Sequence, residues 1–113
     1  MRITSYYNIF ELNNEKYILP IYKNIALQTN PVYKDHLFLP FNDFTNGSET
    51  YGGGRYIDLT LQDIKDDKVV LDFNRAYNPY CAYNHTYRCP IPPQDNNLDV
   101  SILAGEKIPD FVH

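Results

Sequence analysis

Hydrophobic and polar positions alternate in several parts of this chain, and turn residues mark where the alternation breaks. YYNIFEL and EKYILPIY flank Asn13-Asn14. Asparagine tolerates positive φ, so the pair suits a two-residue turn and predicts a β-hairpin. That register sets Glu11 opposite Lys16 and Phe10 opposite Tyr17. Opposite charges and aromatic rings are favoured cross-strand neighbours. Pro20 predicts that the second strand is an edge or ends there, since proline brings no N–H to a ladder. HLFLPF predicts a short apolar strand ended by Pro40. In RYIDLTL, Ile57, Leu59 and Leu61 share one face, and Tyr56, Asp58 and Thr60 the other. KVVLDF sets Val69, Leu71 and Phe73 against Val70 and Asp72. The charged connection QDIKDDK makes these two runs an antiparallel hairpin. LDVSILAGEK closes the chain with a further alternating strand.

The remaining stretches are turn and loop. NIALQTNPVYKD has weak pattern and reads as loop with one helical turn. NDFTNGSETYGGG is rich in Asn, Asp, Gly, Ser and Thr. From Asn74 to Asn97 the chain is crowded with Pro, Asn and Tyr, and CPIPPQ reads as extended, polyproline-like backbone. No helix, repeat or heptad stands out. The expected fold is all-β: a small antiparallel barrel or sandwich of about six strands with two long loops, in one domain over residues 1–113. Loops this long are usually functional or disordered. Their tyrosines argue against disorder.

Composition narrows the function classes. The chain has 11 Tyr, 6 Phe and no Trp, which suits strands and half-buried surfaces. Its net charge is −4 and no Lys or Arg cluster interrupts it, which excludes non-specific nucleic-acid binding. No run approaches the roughly 18 apolar residues of a membrane span. The start has no signal-peptide core, so the chain as it stands reads as cytoplasmic. A longer natural N-terminus carrying a signal would make it exported.

Four groups of residues carry candidate chemistry. Gly52, Gly53 and Gly54 offer a backbone nest for an anion, with Arg55 adding charge and a fork of donors. The spacing is not that of a P-loop, and the bland reading is a tight turn or bulge. Pairing Ile57 with Phe73 sets Asp58 opposite Asp72 and Tyr56 opposite Asn74. Opposed carboxylates require a nearby arginine, a bound cation held with Asn74 or Asn78, or a shared proton; a solvated outer face is the bland alternative. Cys81 and Cys89 flank His85. Cys-x3-His-x3-Cys is not a usual zinc spacing, so buried thiols or a disulfide stand ahead of a metal site or a Cys81 nucleophile. Tyr77, Tyr80 and Tyr83 either line a pocket or staple a loop, and no serine–histidine–aspartate arrangement can be drawn.

The stretches LFLPFNDFTNGSETYGGGRYIDL and VVLDFNRAYNPYCAYNHTYRCPIPPQDNNLDVSILAGEK resemble a bacterial family of unknown function, domain of unknown function number 1684. The resemblance is close over Leu37 to Lys107 and looser over the first hairpin. Members usually carry more chain before that hairpin and some are exported, which implies a short or truncated member here. The resemblance brings no activity, so function is read from the residues. The favoured expectation is a small-molecule binding module for an anionic ligand. Gly53, Gly54 and Arg55 would hold the anion, Tyr56 and Tyr77 would pack on its apolar part, and Asp72, Asn74 and Asn78 would orient it. A hydrolase-like or metal-dependent enzyme using Asp58 and Asp72 is the second reading. A structural or protein-interaction domain is the third. Cofactor and oligomeric state are left open.

Overall fold

The computed structural model describes residues 3–12, 14–24, 30–32, 34–65, 71–84 and 89–109. Four strands form one sheet in the order β1-β2-β3-β4: β1 (Ile3–Leu12), β2 (Glu15–Asn24), β3 (His36–Phe41) and β4 (Arg55–Thr60). The pairs β1–β2 and β2–β3 are antiparallel. The other regular elements are single 3-10 turns at Leu61–Asp63, Phe73–Arg75, Tyr80–Ala82 and Gln94–Asn96. The described chain is therefore mostly β and irregular, with four strands where about six were expected, and it forms no six-stranded barrel.

The chain divides into two compact units. The first comprises Met1–Leu39 and Asp58–Leu71, the second Pro40–Ile57 and Asp72–His113. In the first, the hairpin pairs Glu11 with Lys16 and Phe10 with Tyr17, as the turn chemistry requires. Asn14 takes φ 66°, the left-handed conformation asparagine tolerates. Pro20 behaves differently from expectation. It lies inside β2, opposite Tyr7, and β2 is an interior strand. Antiparallel pairs alternate between bonded and non-bonded, and the pair that closes a two-residue turn, here Leu12–Glu15, is of the bonded kind. Counting from it places Tyr7–Pro20 at a non-bonded position, so β1 needs no N–H from Pro20. Among the described residues, Leu19, Ile21, Tyr22, Leu37, Leu39 and Leu59 are the buried apolar residues of this unit.

In the second unit β3 runs through Pro40 to Phe41, one residue past the expected stop. Asn42 then pairs in parallel with Asn97, through Asn42 N to Asn96 O at 3.0 Å and Leu98 N to Asn42 O at 2.8 Å. The expected last strand, residues 98–107, does not form. The strand expected over KVVLDF falls partly on residues 66–70, outside the described residues; Leu71 and Asp72 are not strand and Phe73 begins a 3-10 turn. The loop with one helical turn expected over residues 24–35 falls partly on residues 25–29 and 33, also outside the described residues.

Candidate functional site

The YGGGR stretch is a turn built for close approach. Gly54 N bonds Tyr51 O at 3.2 Å, and Gly54 holds φ 92°. A Cβ there would lie 2.7 Å from Asn42 Oδ1, 2.8 Å from Pro92 Cγ and 2.9 Å from Phe41 O. Only glycine satisfies both constraints. The turn delivers Arg55 into the interior, where it is fully buried. One terminal nitrogen donates to the carbonyls of Ala104 at 2.6 Å and Glu106 at 3.2 Å. The other donates to Ile102 O at 2.8 Å and Asp43 Oδ2 at 3.4 Å. The guanidinium also stands 5.2 Å from the Phe41 ring centre. Burial lowers its pKa, and the Asp43 charge opposes that shift.

This explains the missing strand. Ile102, Ala104 and Glu106 lie on either side of and within a bend at residues 104–105, where Gly105 holds φ 84°, and their carbonyls converge on the guanidinium. A neighbouring strand would normally satisfy them; here one guanidinium does. Asp43 completes the arrangement by accepting from Ile102 N at 2.6 Å and from Thr45 Oγ1 at 2.7 Å. Arg55 is thus corrected from anion ligand to internal strut, with its donors turned inward.

The other expected site residues also disperse. Tyr56 pairs with Tyr77 rather than Asn74, a shift of three positions, through reciprocal backbone bonds of 2.9 Å. Their rings meet edge to face, with centres 5.8 Å apart. The buried Tyr56 hydroxyl donates to Pro90 O. Its pKa is pushed up to about 12, first by burial and then by the Tyr51 phenol. Asp72 accepts from Asn74 N at 3.0 Å and caps the Phe73–Arg75 turn, leaving Asn74 exposed. Asp58 meets His36 Nε2 at 3.0 Å in the first unit. The opposed Asp58–Asp72 pair therefore has no strand register to make it. Asn78 is buried and ties Tyr83 Oη and Lys107 O to its side-chain nitrogen. Cys81 and Cys89 are joined in a disulfide, their Cα atoms 6.2 Å apart. That separation is normal for the bond. His85 lies outside the described residues.

One depression of about 400 Å³ opens in the second unit, lined by Asn42, Asn46, Gly52, Gly53, Ile91, Asn97 and Asp99 among others. Of the expected ligand residues only Gly53 lines it. Its polar side is a chain of amides. Asn46 Nδ2 donates to Asn42 Oδ1 at 2.7 Å, and Asn42 Nδ2 donates to Asn97 Oδ1 at 2.7 Å. Asn46 Oδ1 in turn accepts from Asp43 N at 3.1 Å. Each amide fixes the next, so Asn97 is oriented with its Nδ2 unspent. Among the described residues neither Asn97 Nδ2 nor the exposed Asp99 carboxylate has a protein partner. Phe44 and Ile91 supply exposed apolar surface, 64% and 82% accessible. Sequence reasoning missed these residues because Asn42, Asn46 and Asn97 looked like turn chemistry. Only the parallel bridge brings position 97 to position 42.

A family described as "Protein of unknown function (DUF1684)" matches residues 5–107. A solved structure, the solution NMR structure of an uncharacterised protein from Haloarcula marismortui, is similar at 30% identity with a TM-score of 0.68. The match covers 98% of this chain and 66% of that one, so this chain spans just under two thirds of its relative. No curated protein matches the chain. Among the described residues, no helix is long and apolar enough to cross a membrane.

Proposed function

Since the chain belongs to the DUF1684 family, whose description names no activity, we propose a function from the depression itself: binding of a small, uncharged, hydroxyl-rich ligand of the saccharide class. The observation that carries this is a donor and an acceptor lining one depression, Asn97 Nδ2 at the end of the fixed amide chain and the Asp99 carboxylate. A hydroxyl group both donates and accepts, so adjacent hydroxyls of one ring meet both partners. Phe44 and Ile91 offer apolar area to the C–H side of such a ring. The volume suits a small ligand. Among the described residues no Lys, Arg or His lines the depression. Among the described residues an anion would meet the Asp99 carboxylate and no counter-charge, which favours a neutral ligand over the anionic one expected from the sequence.

The test is an NMR titration with a panel of methyl glycosides and disaccharides. Binding should perturb the Gly53 and Asn97 amides, and Asn97→Ala or Phe44→Ala should weaken it about tenfold, the loss of roughly one good contact. Silence across the panel, or binding unchanged in both variants, would sink the proposal. The structural reading has one observation in its favour. The most distinctive residues, Gly54, Arg55, Tyr56 and Asn78, serve the fold. A silent panel would therefore favour it.

A further inference from the structure

We infer that the Cys81–Cys89 disulfide braces one wall of the depression, so that reducing it loosens that wall and makes ligand binding redox-dependent. The last step rests on the saccharide reading; the brace itself does not.

The wall is the segment that follows Cys89. Pro90 O accepts from the buried Tyr56 hydroxyl, Ile91 lines the depression, and Pro92 is buried against Gly54. Prolines at 90, 92 and 93 have no N–H to give a ladder. Residues 90–92 make no backbone–backbone hydrogen bond among the described residues. A stretch without a ladder keeps its place only through its pins. Here they are the disulfide at 89, the phenol bond at 90 and the packing at 92. The other end of the disulfide is firmly seated. Cys81 lies in the Tyr80–Ala82 turn, closed by Ala82 N to Pro79 O at 3.0 Å, with Ala82 buried. Just before it, Asn78 is tied to Lys107 O at 2.9 Å and to the Glu106 carboxylate at 2.7 Å.

Removing the covalent pin leaves Ile91, the most exposed of the apolar lining residues, held only by the phenol bond at Pro90 and the packing at Pro92. A dithiol reductant supplies the two electrons and two protons. Its thiolate attacks one cysteine sulfur to form a mixed disulfide. Its second thiol then displaces the protein sulfur, leaving two cysteine thiols and a cyclic oxidised reductant.

Amide hydrogen exchange tests this on the oxidised protein, on the same protein after a dithiol, and on Cys81→Ser/Cys89→Ser. Protection at Gly54, Asn96 and Asn97 should fall by about tenfold or more, while the β1–β2 amides keep theirs, as a local opening requires. The dithiol-treated parent, which carries no substitution, decides the matter if the double variant does not fold, and Tyr56→Phe, which keeps the disulfide, measures the phenol pin separately. Unchanged protection on reduction, or loss of the β1–β2 amides together with the wall, overturns the brace. Methyl glycosides titrated into both redox forms separate the two claims. Weaker binding to the reduced form supports the inference, and equal binding overturns the redox dependence. No binding to either form overturns the saccharide reading, while the exchange result still decides the brace.

Discussion

Arg55 shows how a residue that reads as a ligand holder becomes part of the interior. Its charge is buried with Asp43 and surrounded by carbonyls, so removing one partner strands the other. Breaking such a buried pair costs about 3–5 kcal/mol. Arg55→Met should therefore lower stability by that amount in chemical denaturation. Arg55→Lys should recover little, because an ammonium cannot span Ile102, Ala104 and Asp43 together. Tyr56 gives a pH signature. Its phenol titrates near 12 when folded, against 10.0 for a free phenol. A raised folded pKa means that its contribution is complete below pH 10 and lost as pH rises from 10 towards about 12, because the unfolded chain ionises first. Phenolate absorbance of the folded protein should show a late-titrating tyrosine that disappears in Tyr56→Phe. That variant should also lose less stability than the parent between those two pH values.

At the scale of elements, the first hairpin is the part of the chain most nearly specified by local chemistry. Asn14 holds the left-handed position of its turn. Asn14→Ala should cost about 1 kcal/mol, the penalty a side chain without a local hydrogen bond meets there. Asn14→Gly should be neutral or slightly stabilising. Thermal midpoints of the two variants check both. The same local reasoning found β4 and the burial of Ile57 and Leu59. It failed over residues 98–107, where alternation was present and a strand was not. Alternation reports which side chains face inward. It does not report what satisfies the backbone, and here a guanidinium took the place of a neighbouring strand.

For the molecule as a whole, the two compact units carry different groups: the His36–Asp58 pair in the first, the amide-lined depression in the second. Binding at the depression should raise stability in the saccharide titration by about 2.7 kcal/mol at one hundred times the dissociation constant. At the same ligand concentration the tenfold weaker Asn97→Ala should keep only about 1.4 kcal/mol of that gain. The 30% identical relative from Haloarcula marismortui extends the comparison to 98% of this chain, which makes it a natural second protein for the same panel.

The amino-acid sequence by itself determined the mostly β character, the hairpin with its register, β4 and the family. Those features rest on short-range rules: side-chain alternation, turn residues that tolerate positive φ, and motifs contiguous in the chain. The tertiary structure alone decided the fate of Arg55, the pairing of Tyr56 with Tyr77 and the meeting of Asn42 with Asn97. Each joins residues more than twenty positions apart. A polar side chain looks the same in sequence whether it faces solvent, a ligand or a buried carbonyl. Which of these it faces is fixed only when the backbone groups around it have found, or failed to find, partners of their own.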